Sequence, residues 1–92
     1  MAGWEEYRKT LYKKIRDDKK NKALILDTIN MIIETRKAKG LSQKGLAKLM
    51  GTKQSAIARL ESGKFNMSLK YLQKLANAFD LDLEPPRFKK RN

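Results

Sequence analysis

Two short helices separated by a glycine are the strongest pattern in this 92-residue sequence, in the stretch LSQKGLAKLMGTKQSAIARLESG at residues 41–63. Ser42 is suited to cap the first helix, because its side-chain oxygen can accept a hydrogen bond from a free N–H of the first turn. Gly51 follows that helix, and glycine adopts the left-handed conformation that ends a helix without a Cβ clash. A second helix is therefore predicted at residues 53–62.

Each of these helices has an apolar and a polar side. In the first, Leu46, Leu49 and Met50 recur at helical spacing. In the second, Ile57 and Leu60 point inward, which leaves a polar face outward. That outward face consists of Gln54, Ser55, Ala58, Arg59 and Ser62. A short helix, a glycine turn and a second helix with an amide-bearing outer face form a helix-turn-helix, so the second helix is predicted to read DNA.

The charge of the chain favours a polyanionic partner. Lys and Arg number 22 against 10 Asp and Glu, which gives a formal charge of +12. Residues 36–64 contain eight of the basic residues and one acid, Glu61, so the excess surrounds the two short helices. This distribution favours nucleic acid over a membrane surface. Charge alone is also compatible with an ordinary solvated basic surface.

Several kinds of chemistry are excluded by composition. Cysteine and histidine are both absent, which removes disulfides, thiol nucleophiles, histidine bases and Cys/His metal sites. The sequence therefore predicts no catalytic residues, no metal site, no cofactor and no enzymatic activity. No segment has the pattern of a membrane span or a signal peptide. Since a chain without cysteine suits a reducing compartment, we expect a cytoplasmic protein.

Residues 1–22 are predicted to form an amphipathic helix followed by a hinge. Apolar side chains recur there at three- and four-residue spacing, namely Trp4, Tyr7, Leu11 and Ile15. This stripe packs on the rest of the fold or on a dimer partner, docks another protein, or contacts the DNA backbone, and the sequence leaves these alternatives open. The polar run at residues 17–21 interrupts the stripe and predicts the hinge.

Residues 23–83 are predicted to be the DNA-binding domain, and a long helix at residues 22–39 opens it. The inward stripe predicted for this helix is Leu24, Ile25, Ile29, Ile32 and Ile33, widened by Leu26 and Met31.

A last helix is predicted after Ser68, which can serve as its N-cap. Its predicted inward stripe is Leu69, Leu72, Leu75, Ala76 and Phe79. Leu81 and Leu83 then alternate with acids, as in a short extended segment. Pro85 and Pro86 prevent further helix, and residues 84–92 are predicted to form a basic flexible tail.

The stretch LSQKGLAKLMGTKQSAIARLESGK resembles the phage-repressor-type (Xre/Cro-like) helix-turn-helix family, and the likeness covers residues 24–83. The segments in register are the Leu-Ser-Gln start, Leu46-Ala47, Gly51-Thr52, Gln54-Ser55, Ile57, Leu60-Glu61 and Gly63-Lys64. The resemblance implies an all-α, lambda-repressor-like helix-turn-helix bundle of four to five helices, here with an extra N-terminal helix and a short extended C-terminal tail. It implies a sequence-specific regulator of transcription, repressor-like, that binds double-stranded DNA as a homodimer.

The outward face of the second helix suits the major groove of DNA. A glutamine such as Gln54 can pair with an adenine edge, Arg59 can pair with guanine, and Ala58 can meet a thymine methyl. In families of this type, residues at the positions of Gln54, Ser55 and Arg59 commonly touch bases. The predicted base-reading set is therefore Gln54, Ser55, Ala58 and Arg59, with an ordinary solvated polar face as the alternative.

Contacts to the DNA backbone are expected from residues around that face. Gln43 lies in the first turn of its helix, where free N–H groups and the helix dipole favour an anion. In families of this type, residues at the positions of Gln43, Lys64 and Asn66 commonly touch the backbone. The full predicted set is Gln43, Lys44, Lys53, Ser62, Lys64, Asn66 and Lys70.

The same resemblance implies a structural ion pair between Arg36 and Glu61, which would tie the recognition helix to the long helix. Two positions depart from the family pattern. Gly45 stands where the family usually has Glu, and glycine costs roughly 1 kcal/mol against alanine inside a helix. Met67 replaces a frequent loop proline.

A second resemblance, to HigA-type antitoxins, gives an alternative function. It rests on the helix before the domain, the Gly-Thr-Lys-Gln-Ser turn and the late Leu-Asp-Leu segment. Such proteins bind a ribonuclease toxin and repress their own operon, so the N-terminal stripe would be the docking surface for a protein toxin partner. Against this alternative, such toxins are often basic, and a chain of charge +12 offers them little charge complementarity.

Overall fold

The computed structural model describes residues 3–90, and these form four helices and no strand. Helix α1 spans Gly3–Ala38, α2 spans Gln43–Met50, α3 spans Gln54–Glu61 and α4 spans Leu69–Ala78. Helices α2 and α3 pack on each other, α1 packs on α3, and α4 packs on α2. The prediction of an all-α helix-turn-helix bundle is confirmed. The outermost parts of the two predicted terminal segments, residues 1–2 and 91–92, lie outside the described range.

Helix α1 is continuous over 36 residues, so the prediction of a hinge at residues 17–21 was wrong. The polar run in question, DDKKN, contains neither glycine nor proline, and Lys and Asp side chains do not prevent a helical backbone. The run changes what this face of the helix can bury, and it leaves the helix itself intact. At 1.5 Å per residue α1 is about 54 Å long, which sets the 60 Å length of the molecule. The predicted division into domains at residue 22 stays a prediction.

The hydrophobic core joins the last third of α1 to the three short helices. Its buried residues are Ile32, Leu46, Ala47, Ile57, Leu60, Leu75 and Phe79. Leu46, Ile57 and Leu60 are completely buried, and burying a side chain of this size contributes about 1.5–3 kcal/mol to folding. These three residues fix how α2 and α3 are rotated about their own axes.

Burial on α1 begins only at Ile29, which is 3% exposed. Four apolar residues that were predicted to point inward or to widen the stripe are exposed instead, namely Leu24, Ile25, Leu26 and Met31. The first three precede the bundle along α1, and periodicity cannot show where the neighbouring helices end. Leu49 and Leu69 are also exposed, against prediction, because α2 and α4 each bury a narrower face than their sequences suggest.

The helix ends follow local chemistry. Ser42 Oγ accepts a hydrogen bond from the backbone N–H of Gly45 at 2.9 Å, and Ser68 Oγ accepts one from Tyr71 at 3.1 Å, so both predicted N-caps are confirmed. Gly51 is left-handed (φ 67°) and ends α2 as predicted. The N–H of Gly51 donates to the Lys48 carbonyl and that of Thr52 to the Ala47 carbonyl, the paired bonds of a Schellman motif.

Glycine at position 45 has a local consequence. A Cβ there would lie 3.2 Å from Ser42 Oγ, the capping oxygen itself. A larger residue would raise the helix propensity of this position, but its Cβ would displace the Ser42 side chain from its capping hydrogen bond. The undisturbed cap therefore offsets part of the low helix propensity of Gly45.

The chain after α4 stays against the bundle as far as Leu83. Leu81 and Leu83 line an apolar cavity of about 120 Å³ together with Ile32, Leu75 and other residues of α1 and α4. Residues 84–90 are exposed. Within the described residues, no helix is both long and apolar enough to cross a bilayer.

Candidate nucleic-acid interface

Helix α3 presents the predicted base-reading side chains together on one exposed face. The buried side chains of Ile57 and Leu60 hold its opposite face against the core. At 100° per residue, this rotation turns four side chains outward, and all four are exposed in the structure: Gln54, Ser55, Ala58 and Arg59. The predicted face therefore exists as a surface, and its role in reading bases stays a prediction.

The turn between α2 and α3 sets the angle at which this face projects. Ala47 is 2% exposed within the core that α2 and α3 share, where its methyl group permits a close approach of the helices. Lys53 is the N-cap of α3, and its side chain makes no capping hydrogen bond. Its exposed ammonium lines one open depression with Ser55 and Arg59. The structure thus brings a predicted backbone-contacting residue beside two predicted base readers.

The other end of α3 is held by a network around the Glu61 carboxylate. Arg36 donates to it through Nε at 2.7 Å and Nη2 at 3.0 Å, and Gln43 Nε2 donates at 3.0 Å. Arg36 Nη1 also donates to the carbonyl of Leu41 at 2.9 Å. The ion pair that the family resemblance implied is therefore present, and the network joins α1, the loop before α2, and the two helices of the motif.

The Glu61 carboxylate stays ionised in this setting. Its side chain is 7% exposed and that of Arg36 is 11% exposed. Burial by itself would raise the pKa of Glu61. Hydrogen bonds from Arg36 and Gln43, together with the positive charges of Arg36 and Lys37, outweigh burial and lower the pKa below its ordinary value of 4.5. The pair is thus a structural clamp that is charged near neutral pH.

The predicted backbone-contacting residues lie around both ends of α3. Gln43 is the first residue of α2, half-buried, and one of its amide N–H groups is engaged by Glu61. Ser62 follows α3 directly, and its hydroxyl donates to the Arg59 carbonyl at 2.9 Å. The remaining members are exposed: Lys44 in the first turn of α2, Lys53, Lys64, Asn66, and Lys70 in the first turn of α4. Their contacts with phosphate stay predictions.

One contact that helps to place these residues was not predicted from the sequence. Phe65 lies between Lys64 and Asn66 in the loop after α3, and its ring packs on that of Tyr71 with centroids 4.8 Å apart. Tyr71 Oη is buried without a hydrogen-bond partner among the described residues, and burial raises the pKa of Tyr71. The sequence signal for this contact was a single aromatic residue between two polar residues in a loop, which indicates that the loop packs on a neighbouring helix.

The N-terminal apolar stripe is remote from this face. Trp4, Tyr7, Leu11 and Ile15 are all exposed. Gly3 lies 26 residues before Ile29, where burial on α1 begins, which is about 39 Å along the helix axis. The stripe therefore belongs to an arm that projects from the bundle, and the alternative of packing on the rest of the same fold is wrong for these four residues.

Comparison with known proteins agrees with this geometry. The profile of a family described as helix-turn-helix matches residues 32–85, which contain all of α2, α3 and α4. A Haemophilus influenzae protein named as an uncharacterized HTH-type transcriptional regulator is 37% identical over 76 residues, 80% of this chain and 74% of the relative. A protein of the same name from Archaeoglobus fulgidus is 40% identical over 53 residues, 58% of this chain and 76% of the relative. No solved structure matches the chain significantly.

Proposed function

The chain belongs to the helix-turn-helix family of DNA-binding transcription regulators, and we propose that it recognises a specific double-stranded DNA sequence by placing α3 in the major groove. In the proposal, Gln54, Ser55, Ala58 and Arg59 contact base edges. The exposed residues around α3, with the amide of Gln43, contact the phosphates on either side. The protein then acts as a repressor-like regulator by occupying its site.

The observation that carries this proposal is the orientation of α3. Complete burial of Ile57 and Leu60 and the clamp on Glu61 leave α3 one possible outward face. That face offers an amide, a hydroxyl, a methyl group and a guanidinium, each of which has a partner among the base edges of the major groove. The surrounding basic residues supply the attraction to phosphate that a short helix needs.

We further propose a homodimer on a near-palindromic site. Each recognition helix spans 8 residues, about 12 Å, and so covers only a few base pairs. Two such helices about 34 Å apart reach successive major grooves on one side of the duplex. The cytoplasmic location expected from the sequence is part of the proposal. The antitoxin alternative has no support from the relatives, whose names refer to transcription regulation alone.

Selection of binding sites from random-sequence duplexes tests the proposed function. We expect enrichment of one motif with two related half-sites, whose centres are about 10 base pairs or a multiple of that apart. Binding without any enriched motif would refute sequence-specific recognition, and enrichment of a single half-site would refute the dimeric mode.

The salt dependence of binding tests the backbone contacts. Affinity should fall steeply with salt because cations are released when lysines meet phosphates, and Lys64→Ala should reduce the slope of log K against log salt by about one. The matched control is Lys13→Ala, an exposed lysine on the projecting part of α1. An unchanged slope in Lys64→Ala, or an equal change in Lys13→Ala, would contradict the assignment of Lys64.

A further inference from the structure

One face of α1 carries a stripe that runs the whole length of the helix. It recurs at steps of three and four residues and consists of Trp4, Tyr7, Leu11, Ile15, Asp18, Lys22, Ile25, Ile29, Ile32 and Arg36. We call this set the α1 stripe. Its C-terminal end, from Ile29 to Arg36, is buried by the bundle, whereas Ile15 and Ile25 are each 46% exposed and Trp4 is 67% exposed. The same face that holds the bundle therefore continues beyond it, unburied.

A projecting helix of this kind requires a partner. Isolated helices in water are marginal even at favourable composition, and most helical stability in proteins comes from packing an apolar face. Trp4 and Tyr7 stack on each other, with ring centroids 6.1 Å apart, and both side chains stay exposed to solvent among the described residues. The exposed part of the α1 stripe therefore has the character of an interface.

The two charged positions in the α1 stripe identify the partner. Asp18 and Lys22 are opposite in charge, exposed, and four residues apart. Against a second copy of the chain in antiparallel orientation, Asp18 of each copy faces Lys22 of the other, and Ile15 faces Ile25. A parallel second copy would instead oppose Asp18 to Asp18 and Lys22 to Lys22, which is unfavourable. We propose that α1 is the dimerisation helix and that two copies cross antiparallel near Lys20.

The bundle determines how the two helices meet. It covers the α1 stripe from Ile29 onward, so two α1 helices cannot lie side by side over their whole length. They cross instead, at an angle of about 50° as in the commonest helix packing, and their contact is centred on Ile15, Asp18, Lys22 and Ile25. Trp4 and Tyr7 then extend toward the bundle of the second copy.

The crossing sets a separation between the two bundles that is close to one helical turn of DNA. Ile32, which anchors α1 in the bundle, lies 12 residues from Lys20, about 18 Å along the helix axis. In the crossed pair the two Ile32 positions on the helix axes are therefore about 34 Å apart, so the bundles that they anchor are separated on the same scale. Half-sites one helical turn apart require 34–36 Å. The pairing itself is independent of DNA, whereas the meaning of this spacing rests on the proposed function.

Charge exchange in the full-length chain tests the pairing. Asp18→Lys alone and Lys22→Asp alone each turn two attractive contacts into two repulsive ones, so the dissociation constant of the dimer, measured by sedimentation equilibrium, should rise about tenfold. An equimolar mixture of the two variants should form a heterodimer with wild-type affinity. Mixing leaves the i, i+4 contact within each helix unchanged, so recovery reports contacts between chains.

The matched control carries the same charge changes on the opposite face of α1. Glu6→Lys and Lys13→Asp, both at exposed positions, should dimerise like the wild type, singly and mixed. A gain on mixing this control pair would mean that overall charge drives association, and it would overturn the proposal. So would a wild-type chain that stays monomeric at the highest concentration it tolerates, or single variants that dimerise normally.

Cross-linking tests the orientation separately. The chain has no cysteine, so Ile15→Cys and Ile25→Cys each introduce one thiol. On mild oxidation the mixture of these variants should give a disulfide-linked heterodimer, and neither variant alone should cross-link. Self-cross-linking of Ile15→Cys would indicate a parallel pair and overturn the antiparallel arrangement. Because none of these measurements uses DNA, failure of the proposed function would not affect them, and loss of dimerisation would leave DNA recognition by a single bundle open to test.

Discussion

Glu61 of α3 accepts hydrogen bonds from side chains of two other helices, α1 and α2, so this one residue ties three helices together. Arg36→Ala would leave its carboxylate buried without its counter-ion. Removing one partner from a buried ion pair costs about 3–5 kcal/mol, so we expect a fall of that size in the free energy of unfolding, measured with urea. Arg59→Ala removes an exposed guanidinium and should change the same quantity by less than about 0.5 kcal/mol. Similar losses in the two variants would contradict the clamp.

The clamp also predicts how stability depends on pH. The pKa of Glu61 is lower in the fold than its ordinary value of 4.5. The folded state therefore favours the carboxylate, and this contribution to stability is complete above pH 4.5 and is lost as pH falls through the lower pKa of the folded state. Glu61→Gln should be less stable than the wild type near neutral pH, and this difference should shrink on acidification. A difference that is constant between pH 7 and pH 3 would be evidence against an ionised, clamped carboxylate.

At the scale of elements, the two parts of α1 have different surroundings. Its last third belongs to the bundle core, and no described residue before Ile29 is fully buried in the monomer. Deletion of residues 1–20 should therefore change the free energy of unfolding by less than about 1 kcal/mol, when both chains are measured at concentrations that keep them monomeric. At concentrations where the wild-type chain is dimeric, circular dichroism should show a loss of helical signal in proportion to the deleted residues. A deficit above about 2 kcal/mol would mean that the arm folds back on the bundle.

The short elements were predictable because their signals are local. The caps at Ser42 and Ser68 and the left-handed Gly51 each depend on atoms a few residues away, and all three are confirmed. The hinge at residues 17–21 was predicted from a break in apolar periodicity. Polarity decides which face of a helix is buried, whereas backbone conformation decides whether the helix ends, so a break in apolar periodicity does not by itself predict a hinge.

The exposure of Leu49 and Leu69 shows what periodicity alone does not predict, namely how much of a helix face is buried. A periodic stripe states which residues share a face, but the width that is buried depends on neighbouring helices that are distant in sequence. The same limit applied to the candidate site. The outward set on α3 was predictable from Ile57 and Leu60, and the Arg36–Glu61 pair from resemblance alone. The hydrogen bond from Gln43 to Glu61 and the Phe65–Tyr71 contact depend on tertiary placement.

At the scale of the whole molecule, the chain combines a small helical bundle with a long helix that projects from it. The bundle orients α3, and in the proposed function the basic residues around α3 attract the phosphates of DNA. In the proposed dimer, the projecting part of α1 sets the distance between the two bundles. Residues that are far from the DNA would then determine which spacing of half-sites the protein accepts.

The proposed function requires that the outward face of α3 reads sequence, and the double variant Gln54→Ala with Arg59→Ala tests this most directly. Its affinity should be measured for the selected site and for a scrambled duplex at one salt concentration, beside a control, Gln73→Ala with Lys74→Ala, that removes the same kinds of groups from the exposed side of α4. Each lost bidentate pair removes about 1–3 kcal/mol of discrimination. We predict that the double variant binds both duplexes equally, weakly and with strong salt dependence, while the control keeps the wild-type preference. A double variant that still prefers the selected site as strongly as the wild type would contradict the account.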